Sequence, residues 1–197
     1  MMELDFYFDV GSPTAYLAHK RLQQLSAQYA LQVNAKPMLL GGVFKATSNQ
    51  SPVTIHAKAK YMLEEDLPRF AKRYSAPLNF NLHFPVNTLM LMRGVYAARK
   101  LNCEPAYIDA VFDGMWVKGL AMGEVEVVAQ LLTDEGMDAG AILELAGDPE
   151  IKQALIDTTD EAISRGAFGA PTMFVGDTML FGQDRLDFVE EWLRDEG

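Results

Sequence analysis

Apolar and polar residues alternate along Leu4-Asp5-Phe6-Tyr7-Phe8-Asp9-Val10, an aromatic-rich run that predicts a strand. Gly11-Ser12-Pro13 breaks it. Serine followed by proline fits the N-cap and first position of a helix, and Tyr16, Leu17, Lys20, Leu22 and Leu25 continue at helical spacing. A second strand is expected between Leu31 and Leu40, with Pro37 marking a sheet edge or a strand end. The first forty residues read β-α-β.

From about residue 55 to 165 strand signals vanish. Residues 58–74 form a charged amphipathic pattern interrupted near Pro68, and helical patterns follow over 87–101, 104–118, 124–135 and 139–146. Asp148-Pro149 opens another helix by cap-plus-proline logic, and Gly166 is placed to stop it. Strands then return. Thr172-Met173-Phe174-Val175 and Thr178-Met179-Leu180-Phe181 flank the two-residue turn Gly176-Asp177. Gly182-Gln183-Asp184 opens a final helix whose apolar stripe is Leu186, Val189, Trp192 and Leu193. The order predicts an α/β protein with a thioredoxin-like fold, residues 1–50 and 166–197, interrupted by an all-helical insertion, 51–165.

Composition narrows the function classes. With 17 basic against 27 acidic residues in 197, the net charge of −10 opposes binding to nucleic acid or to an anionic membrane. The single cysteine, Cys103, excludes an internal disulfide framework and any CxxC motif, and the scattered His19, His56 and His83 do not make a metal cluster. His19 has no matched acid partner visible in the sequence. The N-terminus carries acids where a signal peptide needs bases, and no apolar run approaches the roughly 18–20 residues of a membrane span. A cytoplasmic protein without metal is the expectation.

Four places can carry chemistry. Ser12 sits where a helix N-terminus exposes free N–H groups, the turn in which thioredoxin-like oxidoreductases place a CxxC. Here the turn reads Ser12-Pro13-Thr14-Ala15, so dithiol chemistry is excluded. The serine either donates a hydrogen bond to a thiolate brought by a ligand or serves as a plain N-cap. Ala170-Pro171 opens a strand and presents an edge on which an extended peptide can pair, provided the bond is cis, as expected here; an ordinary trans proline is the alternative. Gln183 and Asp184 suit the carboxylate and ammonium of a γ-glutamyl group, or simply cap the last helix. Asn49, in the segment 46–52, is either a ligand or a turn former.

Together the segments FYFDVGSPTAYLA, MLLGGVFKATSNQSP (read as a loop), HFPVNTLMLMRG and FGAPTMFVGDTMLFGQDRLDFVEEWL resemble 2-hydroxychromene-2-carboxylate isomerases. These are similar to kappa-class glutathione transferases within the DsbA-like branch of the thioredoxin superfamily. The resemblance implies that Ser12 is the catalytic serine, that glutathione is the cofactor, and that Asn49, Ala170, Gln183 and Asp184 bind it. The groove between the sheet and the helical segment is its expected place. Lys45, Asn87 and Arg93 match polar positions near the side of a small aromatic substrate, and a homodimer is implied. After Met115-Trp116-Val117, many relatives carry Arg-Asp where this chain has Leu120-Ala121. An isomerase acting on the chromene, a kappa-like transferase and a noncatalytic glutathione-binding module are the competing functions.

Overall fold

The computed structural model describes residues 1–195. Strand β1 (Met2–Phe8) is followed by helix α1 (Pro13–Gln28) and strand β2 (Leu31–Pro37). β1 and β2 run parallel with Met2 opposite Leu31 and Phe8 opposite Pro37, a pairing that requires a crossover such as α1. Strands β3 (Thr172–Val175) and β4 (Thr178–Phe181) form the expected hairpin, closed by Gly176 at φ 57°. β3 pairs antiparallel with β1, giving the order β2-β1-β3-β4. Pro37 therefore both ends its strand and lies on a sheet edge.

Because β1 is central, both of its faces are covered. Leu4, Phe6 and Phe8 join the principal core, whereas Tyr7 packs with Met38, Val43, Ala162, Ala167 and Phe174 on the opposite side. The helices between β2 and β3 do not form a separate core. Phe112, Trp116, Leu91 and Met92 share one continuous apolar cluster with the strands and α1.

The segment read as a loop holds a helix, α2 (Leu40–Thr47). Gly41 and Gly42 disguise it in sequence, and its own residues supply no side-chain cap. The cap comes from afar: the Asp9 carboxylate accepts from Leu40 N at 2.9 Å, and Thr159 Oγ1 accepts from Leu39 N at 3.0 Å. A Cβ on Gly42 would stand 3.4 Å from Thr159 Cγ2, an ordinary contact distance, so this turn of α2 lies against a later helix.

The charged segment forms α3 (His56–Tyr61), a π-turn (Met62–Asp66) and α4 (Leu67–Arg73). Pro68 has no N–H to return to Glu64, and the wide turn lies where that bond is missing. Then come α5 (Leu89–Lys100), α6 (Glu104–Trp116), α7 (Val125–Asp134), α8 (Ala139–Ala146) and α9 (Pro149–Ser164), which Gly166 ends at φ 95°. A 3₁₀ turn (Gln183–Arg185) leads into α10 (Leu186–Asp195). His19 does acquire an acid partner: its Nε2 lies 2.6 Å from Asp109 Oδ1 on α6, 90 positions away. No helix among the described residues is long and apolar enough to cross a membrane.

Candidate active site

The site begins at the end of β1. Ser12 takes an extended backbone, its Oγ accepts from Ala15 N at 3.2 Å, and Pro13 supplies a first helical residue with no N–H to satisfy. The turn is held from beneath by Asp9. One carboxylate oxygen accepts from Gly11 N at 2.9 Å; the other accepts from Leu40 N at 2.9 Å and Thr88 Oγ1 at 3.1 Å. Burial pushes the Asp9 carboxyl above the ordinary carboxylate range, against the pull of these three donors.

Opposite the serine, Ala170-Pro171 is cis. The Ala170 carbonyl accepts from Ser12 Oγ and from Thr14 Oγ1, both at 3.2 Å, and the two hydroxyls lie 2.9 Å apart. Pro171 O accepts from Gly182 N at 3.0 Å, which ties this strand entrance to the final loop. Gly182 adopts φ 100°, and a Cβ there would meet Asp184 Oδ1 at 2.6 Å. Its backbone freedom and its bareness thus both serve the placing of the Asp184 carboxylate.

These pieces enclose a cavity of about 370 Å³ between the α1 terminus, the end of α2 with the loop after it, the π-turn and the 182–185 loop. Ser12, Asn49, Ala170, Gln183 and Asp184 all line it. Asn49 Nδ2 donates to Phe168 O at 2.9 Å, and its Oδ1 accepts from Gln50 N at 2.9 Å, so this side chain also fastens one wall of the cavity to another. Gln183 is buried, 4% exposed, and among the described residues its amide reaches only Asp66 Oδ2, at a long 3.5 Å. Its backbone carbonyl accepts from Tyr74 OH at 2.9 Å, and burial pushes that phenol up to about 12. The other half of the lining is apolar, with Leu40, Phe44, Val53, Met62 and Phe84. Phe84 is seated against Trp116, whose indole N–H donates to Val10 O at 2.8 Å.

The arrangement favours an anion beside Ser12. α1 is 16 residues long, points its N-terminus at the cavity and carries no acid in its first turn to neutralise that end. The negative charges, Asp66 and Asp184, stand with Arg185 around Gln183. That separation suits an extended ligand with a thiolate at one end and an ammonium at the other. The Gln183 amide, which lines the cavity with one long contact to Asp66, offers the second end a donor and an acceptor for a polar group. The residues present therefore fit glutathione.

Three further candidates lie elsewhere. Lys45 and Asn87 are exposed, Asn87 accepting from Leu89 N at 3.1 Å, and neither lines the cavity. Arg93 lines a separate cleft between α2, α5 and α9, where its Nε is buried without a partner among the described residues. Conversely, Thr14, Asp66, Phe44, Met62 and Phe84 line the cavity without having been candidates. Thr14 stood in the quoted turn, two residues from Ser12, and that spacing was its only signal. Asp66 had none, because the π-turn that aims it is invisible in the pattern.

Comparison with known proteins agrees with this architecture. Residues 3–194 match the family model of the DSBA-like thioredoxin domain. A 2-hydroxychromene-2-carboxylate isomerase of Pseudomonas putida is 34% identical over 96% of this chain and 93% of its own. A solved structure of a 2-hydroxychromene-2-carboxylate isomerase superposes with a TM-score of 0.89 at 33% identity, covering 98% of this chain and 95% of that one. Glutathione S-transferase kappa 2 of Caenorhabditis elegans is 29% identical over 95% of this chain and 90% of its own. The chain belongs to the DSBA-like thioredoxin family, on the branch of the 2-hydroxychromene-2-carboxylate isomerases, to which the kappa-class glutathione transferases are related.

Proposed function

We propose that this protein is a glutathione-dependent isomerase interconverting 2-hydroxychromene-2-carboxylate and trans-o-hydroxybenzylidenepyruvate. One observation carries the reading: Ser12, Asn49, Ala170, Gln183 and Asp184, drawn from distant parts of the chain, line a single cavity. Bound glutathione would supply a nucleophilic thiolate toward the conjugated double bond of the ring-opened substrate.

The chain's own groups do the rest. The Ser12 hydroxyl donates to the sulfur, and the α1 N-terminus lowers its affinity for a proton. Ala170 offers backbone N–H and carbonyl to the cysteinyl unit. Asp184 accepts from the γ-glutamyl ammonium, and the Gln183 amide meets the neighbouring carboxylate. Leu40, Phe44, Met62 and Phe84 take the aromatic ring and keep water from it.

Calorimetric titration with reduced glutathione, then a screen of chromenes and aromatic pyruvates with product analysis, tests the proposal. Isomer formation with glutathione returned unchanged is expected. Stoichiometric consumption would favour a kappa-like transferase instead, a reading that the apolar half of the cavity also accommodates. Binding without turnover of any compound would indicate a noncatalytic module. Absence of glutathione binding overturns the proposal.

A further inference from the structure

The hydroxyls beside the cis-proline are more numerous than their single acceptor needs. Ser12 Oγ and Thr14 Oγ1 each lie 3.2 Å from the Ala170 carbonyl oxygen and 2.9 Å from each other. Each carries one proton, so two protons serve three possible contacts. The Ala170 carbonyl can be satisfied by either hydroxyl. Ser12 Oγ meanwhile accepts from Ala15 N, which fixes the oxygen but leaves its proton free to turn.

We propose that Thr14 is a positioning residue that relieves Ser12 of the Ala170 carbonyl, so that the Ser12 proton can be given to a thiolate in the cavity. The inference rests on the glutathione reading above and deepens it. In the ligand-free arrangement the Ser12 proton is shared between the carbonyl and Thr14. When a sulfur anion arrives, Ser12 turns its proton to the sulfur and the Thr14 proton takes the carbonyl. The carbonyl's second lone pair stays open for an amide of the ligand. Every donor keeps an acceptor, and no buried group is stranded by the change. With the Thr14 hydroxyl removed, a single Ser12 proton must choose between carbonyl and sulfur, and the thiolate loses part of its stabilisation. Thr14 acts through Ser12 and need not touch the sulfur.

The test uses the ultraviolet absorbance of the thiolate of bound glutathione, titrated against pH. Thr14→Val keeps the side-chain shape without the hydroxyl; Thr14→Ala is a second hydroxyl-free variant should the first fold poorly. Either should raise the pKa of bound glutathione by about half a unit to one unit and lower turnover at neutral pH about three- to tenfold. Calorimetric affinity for glutathione, measured at a pH well below the bound pKa, where the ligand binds as a thiol, should move less. Thr14→Ser should restore the parent titration. On a Ser12→Ala background, adding Thr14→Val should shift the titration no further, because there is no Ser12 proton left to release. A Thr14→Val titration superimposable on the parent's overturns the inference, as does a shift that persists undiminished on the Ser12→Ala background. A parent protein that binds no glutathione overturns the functional reading and this inference with it. A parent that binds and ionises glutathione without regard to Thr14 overturns this inference alone.

Discussion

Asp9 caps Leu40 across 31 positions of sequence, its carboxylate accepting from the first amide of α2 at 2.9 Å. The same carboxylate holds Gly11 N and Thr88 Oγ1, so one side chain sets the spacing of the serine turn, α2 and the start of α5. Both oxygens of a carboxyl group, charged or neutral, can accept from this set. An asparagine must aim its NH₂ at a backbone N–H on one side. Asp9→Asn is expected to lower stability by about 1–3 kcal/mol, read by urea unfolding. The sign of its pH dependence follows from burial, which raises the folded-state pKa above the ordinary value. The folded chain then holds this proton more tightly than the unfolded chain, so the contribution of Asp9 is greatest below the ordinary carboxylate range and declines as pH rises through the raised value. The deficit of the asparagine variant should therefore be smaller at neutral pH than in acid. A deficit that grows with pH would show that the donors, not burial, dominate.

Asp5 behaves in the opposite sense. Burial disfavours its anion, but the Arg165 bond at 2.7 Å and the Asn34 amide at 3.1 Å outweigh it and lower its pKa. Its contribution is present above the ordinary value and is lost as pH falls through the lowered one. Asp5→Asn should reduce stability at neutral pH by about 1 kcal/mol, and parent and variant should converge in acid, as followed by thermal unfolding across pH. Parallel curves would refute the assignment.

The regular elements were legible where their signals are local. The β3–β4 hairpin announces itself through alternation and Gly176-Asp177, and α8 and α9 through their apolar period and the Asp148-Pro149 opening. α2 was not legible, because its caps are Asp9 and Thr159, neither of them nearby in sequence. The same holds for His19, whose partner Asp109 meets it only when α1 and α6 pack together. Of the site, the residues at chain breaks were readable: Ser12 before a proline, Ala170 before another, Gln183 and Asp184 after a positive-φ glycine. The apolar wall was not, since Phe44, Met62 and Phe84 look like any core side chains until the helices bring them to one cavity.

At the far end of the cavity, Asp184 and Gly182 form a unit that can be broken from either side. Asp184→Ala should weaken glutathione binding by about 1–3 kcal/mol with the fold intact, through loss of a charged hydrogen bond. Gly182→Ala leaves the carboxylate in the sequence but drives a Cβ to within 2.6 Å of its Oδ1, at a backbone φ of 100° that L-residues rarely adopt. It should weaken binding comparably and also destabilise the protein by about 1–2 kcal/mol. Calorimetry and urea unfolding on both variants separate the effects. Unchanged affinity in Asp184→Ala would remove the γ-glutamyl assignment from this residue.

Ser12 has two duties, and two substitutions tell them apart. As N-cap its oxygen accepts from Ala15 N, and as a proposed activator its proton goes to sulfur. Ser12→Ala removes both, with a stability loss of about 1 kcal/mol expected from the missing cap. Ser12→Gly also removes the hydroxyl, but glycine is tolerated at an N-cap and the loss should be only a few tenths of a kcal/mol. If the hydroxyl stabilises the thiolate, both variants should raise the pKa of bound glutathione and depress turnover alike, although only the alanine variant is appreciably less stable. Thiolate absorbance against pH and urea unfolding, run on the same preparations, give the two readouts. Should turnover follow stability instead, with the glycine variant as active as the parent and ionising glutathione equally well, Ser12 is a helix cap and the chemistry lies with the α1 terminus alone.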